Sequence, residues 1–358
     1  MTRGASGNSG TEQLAPVLEA GGEEVAALLE RTEERLREIA RGHGAELGGH
    51  AADTLAAGGK RLRPTLVFLC AGSGGRAAPT RTGGSDRRPE RANADGPDRR
   101  PELVRAAAAV ELLHMATLVH DDVLDRATLR RGRPTVFAAG GRAAAAATGD
   151  LLLSRAFGEL ALTRSPEAVS ILSLASSALA RGELMQRADA WSDAVTPERY
   201  LERCELKTAR LFEAACRLGA IFGAPGAEAA AELGAFGSRI GIAFQIFDDV
   251  LDVSGPTERT GKQRGADLLD GTVTLPLILA RRKDRELRDL DLRAAVTDAS
   301  QAGALCDRIA LTGALGQARE RALHYVAEAK AALSDLDLPA RQSVALHLVA
   351  DGVVERYA

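Results

Sequence analysis

Apolar residues recur along most of this chain at steps of three and four, the spacing that places them on one face of a helix. Leu103, Ala106, Ala107, Val110, Leu113 and Thr117 form one such stripe, and it predicts a helix from Leu103 to His120. The same reading predicts helices over 63–70, 143–162, 166–190, 197–222, 228–253, 274–281, 313–336 and 340–356. Pro166 follows Ser165 and Pro197 follows Thr196, the order of an N-cap and a first-turn proline. Several of these stretches are apolar around most of their circumference, which suits central elements of a thick bundle. No alternating pattern of strands competes, so the expected fold is all-α. Residues 1–20 read as a flexible arm, and the Gly-, Pro-, Arg- and Asp-rich segment 72–100 reads as a disordered surface insertion with almost nothing to bury. The remainder, 21–358, reads as a single helical domain without a fixed-period repeat.

Composition narrows the class. Only 3% of residues are aromatic, while Ala, Leu, Glu and Arg abound, which favours helices over sheet. The formal charge of −3 argues against a nucleic-acid groove. The longest stretch free of charge runs from Ala168 to Ala180, shorter than the roughly 18–20 apolar residues of a membrane span. Residues 1–12 lack the apolar core of a secretory signal, so a cytoplasmic location is expected. Cys70, Cys204, Cys216 and Cys306 lie far apart and form no CxxC pair. They read as buried small hydrophobes rather than as disulfide or metal ligands.

The chemistry concentrates in aspartate. Asp121, Asp122 and Asp125 lie in the sequence DDVLD, and Asp248, Asp249 and Asp252 spell it again. On a helix, positions i and i+4 share a face, so each motif projects carboxylates to one side of an otherwise apolar neighbourhood. An exposed acidic helix face is the bland alternative, but such faces seldom sit in continuous apolar sequence. Carboxylates without His or Cys partners suit a hard cation that keeps some waters and takes further ligands from substrate phosphates, the usual Mg²⁺ arrangement. Two such faces turned toward each other would hold several Mg²⁺ around one diphosphate. Gly58 to Pro64, GGKRLRP, places Lys60, Arg61 and Arg63 after a Gly-Gly turn, where guanidinium and backbone groups can approach phosphate. Alone, that segment reads more readily as an ordinary solvated basic turn. Arg130 and Arg131 follow the first motif by five residues and could supply counter-charge.

Taken in order, GGKRLRP (58–64), ELLHMATLVHDDVLDRATLRRGRPT (111–135), GD (149–150), GELMQ (182–186), KTARLFEAAC (207–216), FQIFDDVLD (244–252) and TGKQRGADLLDGTVTLP (260–276) resemble the trans-isoprenyl diphosphate synthases, the polyprenyl synthetase family. The resemblance implies a large helical bundle of the isoprenoid synthase type around a central active-site cavity. It implies that Lys60, Arg63, His114 and Arg131 hold isopentenyl diphosphate, with Arg61 and Gln186 also on the substrate side. Arg130 and Lys262 would face the allylic diphosphate. Lys207, Thr208 and Gln245 would line the site near the reacting carbons. The six aspartates would bind Mg²⁺, three ions with diphosphate bound. One departure stands out: Thr272 occupies a position where family members often carry lysine.

The activity so implied is head-to-tail condensation of isopentenyl diphosphate with an allylic diphosphate to give a medium- or long-chain all-trans polyprenyl diphosphate. Ala116 and Thr117, one turn upstream of Asp121, are both small, so a tail passing beside that helix meets no bulky plug there, and Phe at Ala116 is expected to shorten the product. A geranylgeranyl or farnesyl diphosphate synthase is the alternative, then a terpene cyclase of shared fold, or a regulatory subunit of a heteromeric synthase. The expected assembly, by resemblance, is a homodimer, with no nucleic-acid partner and a transient membrane contact at product release.

Overall fold

The computed structural model describes residues 14–56, 59, 61–72, 99–130, 132–223, 225–255 and 264–355, and nearly all of them are helical. Lys60, Arg131 and Lys262 lie outside the described residues, as does most of the predicted insertion at 72–100.

Helices α1 (Ala15–Gly21), α2 (Glu23–Ala40) and α3 (Ala45–Ala56) form the N-terminal layer. The predicted arm therefore ends earlier than residue 20. Val17 is buried, and α1 packs against the last helix, α17 (Ala340–Glu355), so its single apolar turn is held by a tertiary partner. In α2, Val25, Leu28, Thr32, Leu36 and Ile39 face inward and acidic and basic residues face out. Next come α4 (Leu62–Ala71) and α5 (Arg100–Asp125). In α5, residues from Leu103 to Ala116 are buried on nearly every side, as expected for a central helix. It is the one described helix long and apolar enough to cross a membrane, and 72% of its most apolar window is buried inside the protein.

After a two-residue hairpin, β1 (Leu129–Arg130) and β2 (Arg133–Pro134), the chain enters α6 (Val136–Ala161), α7 (Pro166–Ala188) and α8 (Pro197–Cys204). The hydroxyls of Thr135, Ser165 and Thr196 accept hydrogen bonds from the amides of Ala138, Ala168 and Arg199, and the prolines occupy the first turn at Pro166 and Pro197. Each such cap is worth about 1 kcal/mol. A π-helical segment, Glu205–Ala209, leads into α9 (Arg210–Phe222), followed by α10 (Gly226–Ser254). The C-terminal third comprises α11 (Ala266–Leu269), α12 (Leu275–Lys283), α13 (Arg285–Arg288), α14 (Leu292–Ala295), α15 (Ala299–Leu311), α16 (Ala314–Ser334) and α17.

The bundle is organised by two long pairs, α5 on α6 and α9 on α10, joined by α4 and flanked by α16. All four cysteines are buried and free, as their sequence positions suggested.

Candidate active site

Both aspartate motifs occupy the C-terminal turns of long helices. Asp125 is the last residue of α5, and Asp252 lies two residues before the end of α10. Unsatisfied carbonyls give a helix C-terminus partial negative charge, so carboxylates there add to an already unfavourable potential. Positive charge must be brought in from elsewhere. At α5 the chain stops with Arg126 in the left-handed conformation (φ 52°), turns through the hairpin and returns Arg130 to the helix end. The Arg130 guanidinium contacts Oδ1 of buried Asp122 at 2.8 Å.

Lys207 and Thr208 sit on the π segment. A π turn inserts one extra residue into the helix and turns adjacent side chains to new directions, and such turns are frequent at functional positions. Two glycines let the neighbouring helices approach it. A Cβ on Gly182 of α7 would stand 2.6 Å from the Lys207 amide nitrogen, and one on Gly241 of α10 would stand 2.6 Å from Cα of Ala209. Any larger residue would push α7 or α10 away from the segment.

From this segment two chains of polar contacts lead to the two motifs. The Thr208 hydroxyl donates to Oε1 of Gln245 at 2.6 Å, and Nε2 of Gln245 donates to Oδ1 of Asp249 at 2.8 Å. The other Asp249 oxygen accepts from the hydroxyl of fully buried Tyr200 at 2.6 Å. On the other side, Lys207 donates to Oε2 of Glu183, whose Oε1 accepts from Nε of Arg187 at 3.1 Å. Nη2 of Arg187 then donates to Oδ1 of Asp125 at 2.7 Å. One five-residue segment is thereby linked, through Gln245 on one side and Glu183 and Arg187 on the other, to both aspartate clusters.

The electrostatics are those of a cation-seeking site. Burial pushes the Asp121 carboxyl up to about 6, with Glu183 and Asp125 reinforcing the rise and Lys207 and Arg130 opposing it. Burial likewise raises Asp122 against the pull of Arg130. Asp249 is pushed up to about 8 by burial and by the nearby Asp267, although Tyr200, Gln245 and Arg203 counteract. Asp252 accepts from the Asp267 amide at 3.3 Å, while its carbonyl accepts from the Gly265 amide at 3.0 Å, which fixes the chain re-entering after α10. Arg203 lies under the Tyr200 ring, 5.4 Å from its centroid, and donates to the Val273 carbonyl at 2.5 Å.

The sequence-predicted residues do not all meet here. Asp248 is half-buried on α10 beside Asp249. Arg63 stacks its guanidinium over the Phe212 ring, 4.6 Å from the centroid and one helical turn beyond Thr208, which brings it to the same region. His114 is half-buried, two turns before Asp121, and Gln186 is half-buried on α7. Arg61 departs from its expected substrate role. Its guanidinium is paired with Glu33 and with Oε1 of buried Glu111 at 2.6 Å, and it donates to the Leu55 carbonyl at 2.9 Å. Both edges of the fork are engaged with α2, α3 and α5, so in this structure Arg61 joins helices. The passage expected beside Ala116 is also closed: Ala116, Leu113, Leu112 and Ala109 are at most 1% exposed, whereas His114, Thr117 and Leu118 keep accessible surface. Among residues without an assigned role in the sequence, Glu183, Arg187, Tyr200 and Arg203 belong to the site. Glu183 stands in the GELMQ block, and its spacing of four from Arg187 was a further local sign.

Comparison with known proteins agrees with this geometry. Residues 45–309 match the family model "Polyprenyl synthetase". The chain is 35% identical over 322 residues to heptaprenyl diphosphate synthase component 2 of Geobacillus stearothermophilus, covering 87% of this chain and 94% of the relative. It is 34% identical to geranylgeranyl diphosphate synthase of Methanosarcina mazei, over 84% of this chain and 86% of that one. The crystal structure of a polyprenyl synthase from Caulobacter crescentus CB15, complexed with calcium and isoprenyl diphosphate, superposes with a TM-score of 0.79 at 34% identity, covering 97% and 98% of the two chains. With its two aspartate clusters tied to one π segment, a family match across most of its length and relatives of the same class, this chain belongs to the polyprenyl synthetase family and is a prenyl diphosphate synthase.

Proposed function

We propose that the chain is a Mg²⁺-dependent prenyltransferase that condenses isopentenyl diphosphate head-to-tail with an allylic diphosphate, making a medium- or long-chain all-trans polyprenyl diphosphate. The observation that carries this reading is the pair of contact chains, Thr208–Gln245–Asp249 and Lys207–Glu183–Arg187–Asp125, which join both motifs to one segment.

The donor set fits magnesium. Six carboxylates stand at two helix C-termini, and Asp121 and Asp249 are held toward protonation by burial, a sign of too little counter-charge around them. Among the described residues no three His, Cys, Asp or Glu side chains gather into a ready-made cage. An ion held there would draw its other ligands from waters and diphosphate oxygens. Asp121, Asp122, Asp125, Asp248, Asp249 and Asp252 would hold it. Once bound, Mg²⁺ would neutralise charge that develops on the departing diphosphate.

The protein's own groups do the rest. Lys207 and Arg130, with Lys262 expected beside them, bind the allylic diphosphate and favour its departure electrostatically. Arg63 and His114, with Lys60 and Arg131, position isopentenyl diphosphate so that its double bond reaches the allylic carbon. Thr208 and Gln245 orient oxygen dipoles near the carbon that becomes cationic, and the buried walls of α5, α9 and α10 exclude water that would quench it. The isopentenyl unit loses its proton to the departing diphosphate. Incubation with farnesyl or geranylgeranyl diphosphate, isopentenyl diphosphate and Mg²⁺ tests the reading, with products of about six to ten isoprene units expected where the growing tail parts the packing upstream of Asp121. A product that stops at four units would favour a geranylgeranyl diphosphate synthase, and no Mg²⁺-dependent elongation would overturn the proposal.

A second reading is favoured by the relative named as component 2 of a synthase. In it, this chain is the catalytic component and needs a second chain for full chain length. Retention of both DDVLD motifs supports the catalytic rather than the regulatory part. Product length from the purified homo-oligomer, with and without lysate of its source, separates this from the expected homodimer.

A further inference from the structure

Among the described residues, Glu183 is an acidic side chain outside the two motifs that is tied to the first through Arg187. Its side chain is 13% exposed, and its two oxygens are divided between two cations. Oε2 holds Lys207 from the π segment and Oε1 holds Nε of Arg187, one turn along α7. Arg187 in turn spans to Asp125 with Nη2. Asp121 lies one turn before Asp125 on α5, as Glu183 lies one turn before Arg187 on α7, so the Arg187–Asp125 contact brings Asp121 toward the same corner. An ammonium on a flexible four-carbon stem has two carboxylate destinations in this corner, Glu183 and Asp121. On Glu183 it leaves Asp121 available; on Asp121 it would cancel a metal-binding carboxylate and a phosphate-binding cation at once.

We propose that Glu183 is a positioning residue that keeps Lys207 off Asp121, and so keeps the first aspartate motif open for a cation-bridged diphosphate. This rests on the functional reading above. Gly182, next to it, supports the assignment, because the missing side chain allows α7 to approach the Lys207 backbone to within reach of that pairing. The local field alone argues for the opposite effect: removal of a negative side chain beside an anion site should tighten anion binding. The direction of the change therefore separates the two accounts.

The test is calorimetric binding of inorganic diphosphate in the presence of Mg²⁺ to the full-length chain, without turnover. Glu183→Gln is expected to weaken binding about tenfold, equivalent to about 1.4 kcal/mol. In a Lys207→Gln background the same change is expected to alter binding less than twofold, because the ammonium that Glu183 restrains is gone. Thermal melting of each variant confirms folding. Tighter or unchanged binding in Glu183→Gln, or an equal loss in both backgrounds, overturns the proposal while leaving the enzyme assignment intact. Failure of the unaltered protein to bind Mg²⁺ and diphosphate would overturn both.

Discussion

The hydroxyl of Tyr200 donates a 2.6 Å hydrogen bond to Oδ2 of Asp249 from inside the protein, where neither residue is more than 5% exposed. Tyr200 lies on α8, two turns before Lys207, so the helix that leads into the π segment also fixes the middle carboxylate of the second motif. Gln245 holds the other Asp249 oxygen. Tyr200→Phe leaves the ring's packing in place and removes only the donor. A buried hydrogen bond contributes about 1 kcal/mol net, so the variant should lose about that much stability. Its Mg²⁺ requirement should move to higher concentration and its turnover should fall about tenfold, the rate equivalent of about 1.4 kcal/mol. Steady-state rates across a Mg²⁺ series check this, and an unchanged Mg²⁺ curve would show that Asp249 needs no such support.

The Asp249 carboxyl also ties function to pH. It titrates near 3.8 as an unperturbed group and at about 8 in the fold. Between those values the folded chain carries a proton that the unfolded chain has released. The folded state therefore binds more protons, and stability falls as pH rises through that window. Above about 8 the advantage is gone. Asp249→Asn removes this dependence, since the amide is neutral throughout and can still accept from Tyr200. In chelator-treated protein, melting from pH 5.5 to 8.5 should show a decline that is steeper for the unaltered chain than for Asp249→Asn. Turnover in the variant should nevertheless fall by orders of magnitude, because a ligand for the cation is lost. Parallel declines would mean that this carboxyl is not the titrating group.

Arg61 and Arg63 stand two residues apart in GGKRLRP and separate cleanly in role. Arg61 neutralises Glu111, whose side chain is 4% exposed. Arg61→Leu strands that buried charge, and breaking such a pair costs about 3–5 kcal/mol. Arg63 contributes a cation–π contact to Phe212, worth about 1 kcal/mol, so Arg63→Leu should melt close to the unaltered protein. The expected kinetic pattern is inverted: a large rise in KM for isopentenyl diphosphate in Arg63→Leu and, in protein still folded, a small one in Arg61→Leu. Thermal melting and steady-state kinetics on both variants decide it.

The fold was legible where its signals are local. Ser165 with Pro166 and Thr196 with Pro197 mark helix starts because a cap and a first-turn proline act within one turn, and both starts are observed. The paired DDVLD motifs announced the site for a similar reason: carboxylates one helical turn apart must share a face. Other features were hidden because they depend on contacts between distant segments. The π segment at 205–209 lies within what the sequence reads as one continuous helix, 197–222, and its surroundings are set by the close approach of Gly182 and Gly241 from two other helices. Arg61 reads as a phosphate ligand until α2 and α5 bring Glu33 and Glu111 to it. Glu183 and Tyr200 acquire meaning only through Lys207 and Asp249, each more than 20 residues away in the chain.

Product length turns on the face of α5 upstream of Asp121. Thr117 lies one turn above Asp121 and keeps accessible surface, whereas Ala116 beside it is 1% exposed. One turn of helix rises about 5.4 Å, close to one extended isoprene unit, so a tail longer than a few units must part the packing around Leu113, Leu112 and Ala109. Phenylalanine at either position blocks that path, but by different means. Thr117→Phe places its ring in existing space and should shorten the product with little change in melting. Ala116→Phe forces a ring into a filled core, which costs about 1–3 kcal/mol, and should shorten the product while lowering the melting midpoint. Chromatography of the products from labelled isopentenyl diphosphate reads both. If both variants stay active and keep the product distribution of the unaltered chain, the tail does not run along this face of α5.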